Sequence, residues 1–122
     1  MPRAATLEAF IAVVESGAHV KAIEDFYAEN ASMRENQAEP RRGRARLVAH
    51  ESAALARTAS VVSTCVRPVF VNGDHVVIRW VFDFTGKDGR SMRIEELAWQ
   101  RWEGERIAEE EFFYDPAQMK SA

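Results

Sequence analysis

Glu35, His50 and Glu96 are the residues whose types and settings could move a proton. Glu35 closes the alternating run ASMREN (31–36), just before a polar loop and the arginine-rich stretch RRGRAR (41–46). In the wall of an apolar pocket its pKa would rise toward neutrality, and it could act as general base on a carbon beside a carbonyl. The other reading is a solvated acid paired with Arg34 or an arginine of RRGRAR. His50, beside Glu51, could relay a proton, or it could be an exposed or core-edge histidine. Glu96 lies in RIEELAWQRW (93–102). Alternation there puts Glu96, Ala98 and Gln100 on one face and Leu97, Trp99 and Arg101 on the other. The acid run 109–111 splits in the same way. Glu109 and Glu111 fall with Phe113, and Glu110 falls with Phe112 and Tyr114. At least one acid of that run is expected on a covered face, where it needs a partner such as Arg79, Arg93 or Arg101.

The elements that must position these groups follow from periodicity. Thr6 is placed to cap a first helix, with Glu8 near its start and Leu7, Phe10, Ile11 and Val14 along one apolar face. Gly17 ends it. A second helix carries Val20, Ile23, Phe26 and Tyr27 and is expected to run to Asn30. Residues 31–36 read as a short strand. Gly43 precedes a third helix near 44–57, with Leu47, Glu51, Ala54 and Leu55 down one side. From residue 59 the period becomes two. SVVSTCVRPVFV is rich in β-branched residues, and Pro68 within it requires an edge or a bulge. Asn72-Gly73 marks a hairpin turn. HVVIRWVFDF, SMRIEELAWQRW and RIAEEEFFY complete a meander of strands. Helices followed by such a meander specify an α+β fold with a mostly antiparallel sheet, in one domain spanning 1–122. In the first strand of that group, Val76, Ile78, Trp80, Phe82 and Phe84 share one face. Val77 and Val81 share the other with Arg79 and Asp83. Both faces therefore call for cover, the three helices on one side and a second subunit on the other.

Composition excludes several classes. A hydrophobic fraction of 47% and a charged fraction of 29% describe a soluble globular chain. A net charge of -3 argues against a nucleic-acid binder. Cys65, the single cysteine, allows no internal disulfide and no cysteine-based zinc site, and His19, His50 and His75 lack metal-ligand spacing. No metal and no cofactor is expected. There is no glycine-rich nucleotide loop and no nucleophile elbow. Without an apolar leader or a run of roughly 20 apolar residues, the expectation is a cytoplasmic protein away from membranes.

Two stretches, DFYAENASMRENQAEPRRGRARLVAHE (25–51) and EELAWQRWEGERIAEEEFFYDPAQ (95–118), carry a resemblance. With the hairpin between them they resemble the nuclear transport factor 2-like superfamily, in its SnoaL-like and ketosteroid-isomerase-like branch. The resemblance implies a cone-shaped barrel, a curved sheet wrapped on three N-terminal helices around a deep apolar pocket, and a homodimer formed through the outer sheet face. It places Glu35 on the proton-moving carboxylate; in an enzyme, His50 or Glu96 would assist. It also gives the pocket Phe10, Tyr27, Met33, Glu51, Trp80, Phe82, Gln100, Glu111 and Phe113, with a small apolar or polyketide- or steroid-like ligand. The isomerase's two oxyanion donors correspond to Phe10 and Ala98, which cannot donate. The sequence is therefore not that of a true ketosteroid isomerase. Either cofactor-free isomerase, cyclase or dehydratase chemistry, or ligand binding or dimeric interaction without turnover, fits this pattern.

Overall fold

The computed structural model describes residues 1–119. Helices α1 (Ala4–Glu15) and α2 (His19–Phe26) are followed by strands β1 (Tyr27–Glu35) and β2 (Arg41–Arg42), then helix α3 (Arg44–Ala56). The long strands β3 (Thr58–Asn72), β4 (His75–Gly86), β5 (Ser91–Glu103) and β6 (Arg106–Phe113) come next, and a 3-10 turn, Pro116–Met119, ends the described chain. The six strands form one mixed sheet in the order β2-β1-β6-β5-β4-β3. Only β1 and β6 run parallel; every other pairing is antiparallel. The sheet curves but does not close, and β2 and β3 are its edges. This is the expected α+β cone.

Three local expectations are corrected. Helix α1 begins before Thr6, and no side chain caps it locally. Instead Glu105, in the β5–β6 turn, accepts the backbone N–H of Arg3 at 3.0 Å and the Thr6 hydroxyl at 2.5 Å. A distant carboxylate thus meets the positive end of the helix. Helix α2 stops at Phe26 rather than Asn30, because Tyr27 pairs with Ile107 of β6 and the chain is drawn into the sheet. A strand partner from the other end of the chain outweighs helical spacing here. Accordingly β1 starts at Tyr27, not at residue 31. Pro68 does lie where β3 slips register, between Val66 and Phe70, on an edge strand.

Leu7, Phe10, Ile11 and Val14 of α1, Ala22 and Ile23 of α2, and Leu47 of α3 pack on the concave sheet face. There they meet Val76, Ile78, Trp80, Ala98 and Trp102. Phe10 is the hub at the narrow end of the cone. Its ring lies edge-on to those of Phe26, Tyr27 and Trp102, with centroids 5.6, 6.2 and 5.9 Å away. Along β4 the cover then thins. Val76, Ile78 and Trp80 are buried, whereas Phe82 and Phe84 are half-buried. Helix α3 supplies one fully buried side chain, Leu47, and so spans the wide end without filling it. The convex face carries Val77, Val81, Leu97, Trp99 and Phe113, with Phe70 64% and Leu97 46% exposed.

Candidate functional site

The unfilled end of the cone is a cavity of about 420 Å³. Its floor is Phe10, Tyr27 and Trp80, and its aromatic wall continues through Phe82, Phe84 and Phe112. Trp80 and Phe82 stack at 5.6 Å with their planes 19° apart. Small residues, Ala22 on α2 and Ala54 on α3, leave the space open. Four carboxyl groups face this apolar wall: Glu35, Glu51, Glu96 and Glu110. Each is held differently.

Glu35 ends β1 and lines the cavity, but both its oxygens are engaged by the β2 arginine. Arg41 Nη2 donates to Oε1 at 2.6 Å and Nη1 to Oε2 at 3.0 Å. Glu35 thus stands in the cavity wall and is paired with an arginine of RRGRAR. Glu51 on α3 lies 3.3 Å from His19 Nδ1, and His19 Nε2 lies 2.7 Å from the Ser63 hydroxyl. That histidine, tilted edge-on to Phe82, also lines the cavity. His50 lines the rim and is largely exposed.

Glu96 sits on β5 opposite Trp80 of β4. It is half-buried, and among the described residues its carboxyl has no hydrogen-bond or ion-pair partner. Burial, reinforced by the charges of Glu110, Glu35 and Glu51, pushes its pKa up to about 8. Glu110 on β6 is buried. Burial pushes its pKa up to about 7, against the lowering effect of hydrogen bonds from Tyr27 and Gln100. The Tyr27 hydroxyl donates to Glu110 Oε1, and Gln100 Nε2 donates to Oε2 at 2.7 Å. Burial first, and the neighbouring Glu110 second, drive the Tyr27 phenol well above its ordinary range.

Of the residues the sequence proposed, Met33 also lines the cavity, from β1. Three proposed lining residues do not. Gln100 points to the concave side but is covered by Glu110, which it supports from behind. Glu111 and Phe113 lie on the convex face, where Glu111 pairs with Arg34 at 2.6 Å and Phe113 is 38% exposed. The cause of this inversion is a bulge. Trp102 pairs with Ile107 and Arg101 with Glu109, so Ala108 is an extra residue in β6. The bulge advances the alternation by one, bringing Glu110 and Phe112 inward. The alternate grouping of 109–114 was readable, but its absolute phase was not. His19, Arg57 and Ile94 also line the cavity and carried no motif that would have singled them out; Tyr114 lines it too. Among the described residues no three His, Cys, Asp or Glu side chains are arranged to hold a metal ion. No described helix is long and apolar enough to cross a membrane.

A curved sheet, three helices and a cavity at the wide end with acids in its wall define an NTF2-like cone. The SnoaL-like domain matches residues 7–110, and the chain belongs to that family. No curated protein matches the sequence. Solved structures of similar fold include an NTF2-like protein of unknown function from Burkholderia pseudomallei, 15% identical, covering 93% of this chain and 91% of that one with a TM-score of 0.80. A protein described as a SnoaL-like polyketide cyclase from Mesorhizobium loti is 21% identical, covering 91% and 97%, with a TM-score of 0.76. A protein with a ketosteroid isomerase-like fold from Catenulispora acidiphila, solved with trimethylamine, is 20% identical, covering 90% and 85%, also at 0.76. At these identities the likeness shows the fold alone.

Proposed function

We propose that this SnoaL-like domain binds a small carbonyl or hydroxyl compound in its cavity and performs cofactor-free acid–base chemistry on it, of the isomerase, cyclase or dehydratase type. The observation that supports this most is Glu96. It is a carboxyl in an apolar wall, free of a protein partner among the described residues, with a pKa near 8. Such a group gives and takes a proton with similar ease at neutral pH, which is the condition for an efficient general acid–base. Glu96 would exchange the proton at the ligand's carbon, and Tyr27 beside Glu110 would meet charge developing on its oxygen. Glu35, tied to Arg41, and His50, at the rim, are the auxiliary groups in this reading.

The test is hydrogen–deuterium exchange at the carbon beside the carbonyl of cyclohexanone and α-tetralone in D2O, followed by proton NMR. The expected outcome is protein-dependent exchange that rises with pH to a plateau near the Glu96 value. Glu96→Gln should lower it by about 10²-fold or more. A non-catalytic ligand-binding module is the second reading, favoured by the absence of donors at Phe10 and Ala98. Saturable binding of these ketones with no exchange would establish it in place of catalysis. The exposed apolar residues of the convex face, Phe70, Leu97 and Phe113, support a homodimer built on that face.

A further inference from the structure

Behind the cavity wall a line of hydrogen bonds has a fixed direction. Trp102 Nε1–H donates to Gln100 Oε1 at 2.9 Å. An indole N–H can only donate, so it holds the amide oxygen toward itself and turns the amide NH2 toward Glu110. Glu110 Oε2 accepts from that NH2 at 2.7 Å, and Oε1 accepts from the Tyr27 hydroxyl. All four side chains are buried, Gln100 completely. Tyr27 and Glu110 line the cavity, whereas Gln100 and Trp102 stand behind it.

This arrangement suits ionised Glu110, whose two oxygens each receive a donor. A protonated Glu110 needs an acceptor for its own O–H. The Gln100 end that faces it is a donor, and Trp102 prevents the amide from turning over. The remaining acceptor is the oxygen of Tyr27. Once that oxygen accepts from Glu110, the phenol's own proton has to point elsewhere, and the open direction is the cavity. We infer that Tyr27 is the hydroxyl that meets a ligand's oxygen here, and that the proton on Glu110, directed by Trp102 and Gln100, decides whether that hydroxyl donates or accepts. The inference deepens the acid–base reading of the same cavity and rests on it.

The ligand chemistry follows. With Glu110 protonated, Tyr27 offers a proton and selects a carbonyl or phenolate oxygen. With Glu110 ionised, Tyr27 offers lone pairs and selects a hydroxyl or an ammonium. If the ligand oxygen takes the Tyr27 proton, the Glu110 proton passes to Tyr27. One O–H bond forms on the ligand, the O–H bond of Glu110 breaks, and Glu110 is left as a carboxylate with Tyr27 unchanged. The groups that face Glu110 across the cavity set when this occurs. They are Glu35, held by Arg41, from β1; Glu51 and His50 from α3 and Arg57 just past its end; His19 from α2; Glu96 from β5; and Tyr114 beyond β6. The charges of Glu51 and Glu35 add to burial in favouring the protonated state of Glu110.

The chain has two tyrosines, which makes the test direct. Protein carrying [ζ-13C]tyrosine gives two signals, assigned with Tyr114→Phe. Carboxyl-labelled glutamate reports Glu110, assigned with Glu110→Gln. In the wild type the Tyr27 signal should move in one step at the midpoint of Glu110, far below the pH at which phenols ionise. In Trp102→Phe the Gln100 amide is free to turn and accept the Glu110 proton, so the Tyr27 step should fall to less than half while Glu110 still titrates. Gln100→Met should do the same by leaving Oε2 free to carry the proton, and it serves if Trp102→Phe does not fold. A Tyr27 signal that ignores the Glu110 titration overturns the inference, as does a step that neither variant diminishes. No ligand is involved, so its failure is distinct from failure of the ketone exchange assay.

Discussion

Replacing Glu96 by glutamine should make the protein more stable in alkaline solution and leave it nearly unchanged in acid. The folded protein holds the Glu96 proton up to about pH 8, whereas the group's ordinary value is 4.5. Between those values the native state binds more protons than the unfolded chain, so stability falls as pH rises. The contribution is intact below 4.5 and fully lost above about 8. At about 1.4 kcal/mol per pH unit the ceiling on that loss is about 5 kcal/mol. Water at the mouth of the cavity reaches this half-buried carboxyl and screens it, which brings the expected loss to about 2 kcal/mol. Glutamine copies the shape and polarity of the protonated acid and does not titrate. Urea unfolding followed by tryptophan fluorescence at pH 5 and pH 9 gives the comparison. Wild type and Glu96→Gln should agree at pH 5, and at pH 9 the variant should be the more stable by about 2 kcal/mol, with equal denaturant slopes. Glu110 titrates in both proteins, so the difference reports Glu96 together with its coupling to Glu110. Equal losses of stability in the two proteins between pH 5 and pH 9 would refute the reasoning.

Leu47→Ala removes the one fully buried side chain of α3 and should cost about 3 kcal/mol, read as a lowered thermal midpoint. If the convex face is a dimer interface, sedimentation of the wild type should show a dimer, and Phe70→Glu with Leu97→Glu should convert it to a folded monomer. A wild type that sediments as a monomer at high concentration would sink that proposal.

The order of helices and strands was legible because each element satisfies its own period. The α1 face, the Gly43 start of α3 and the Asn72-Gly73 turn are local signals, and local signals survive folding. Alternation divided β5 into two faces, but it was the resemblance, not the alternation, that turned Glu96, Ala98 and Gln100 toward the pocket. What failed depended on partners far away in sequence. Tyr27 has helical spacing but joins a strand because Ile107 is there to pair with it. Glu110 and Phe112 replaced Glu111 and Phe113 in the wall because Ala108 is an extra residue opposite β5. Nothing in RIAEEEFFY marks that bulge, since both phases place one phenylalanine inward. Glu51 was given to the pocket by the resemblance, but its partner His19 read as an ordinary helix residue until α2 and α3 are set beside each other with Ser63 behind them.

The parallel pairing of β1 with β6 has a consequence for how the molecule comes into being. As the chain leaves the ribosome, Tyr27 and Met33 emerge early, yet their strand partners Ile107 and Glu110 are in the last strand described. Until then β1 has only the two-residue β2 beside it, and the cavity lacks one of its four acids. Joining strands so distant in sequence is entropically demanding and slows folding. Synthesis must therefore pass β6 before the cavity exists, and a nascent chain halted at β5 would expose an unpaired β1 edge to other chains.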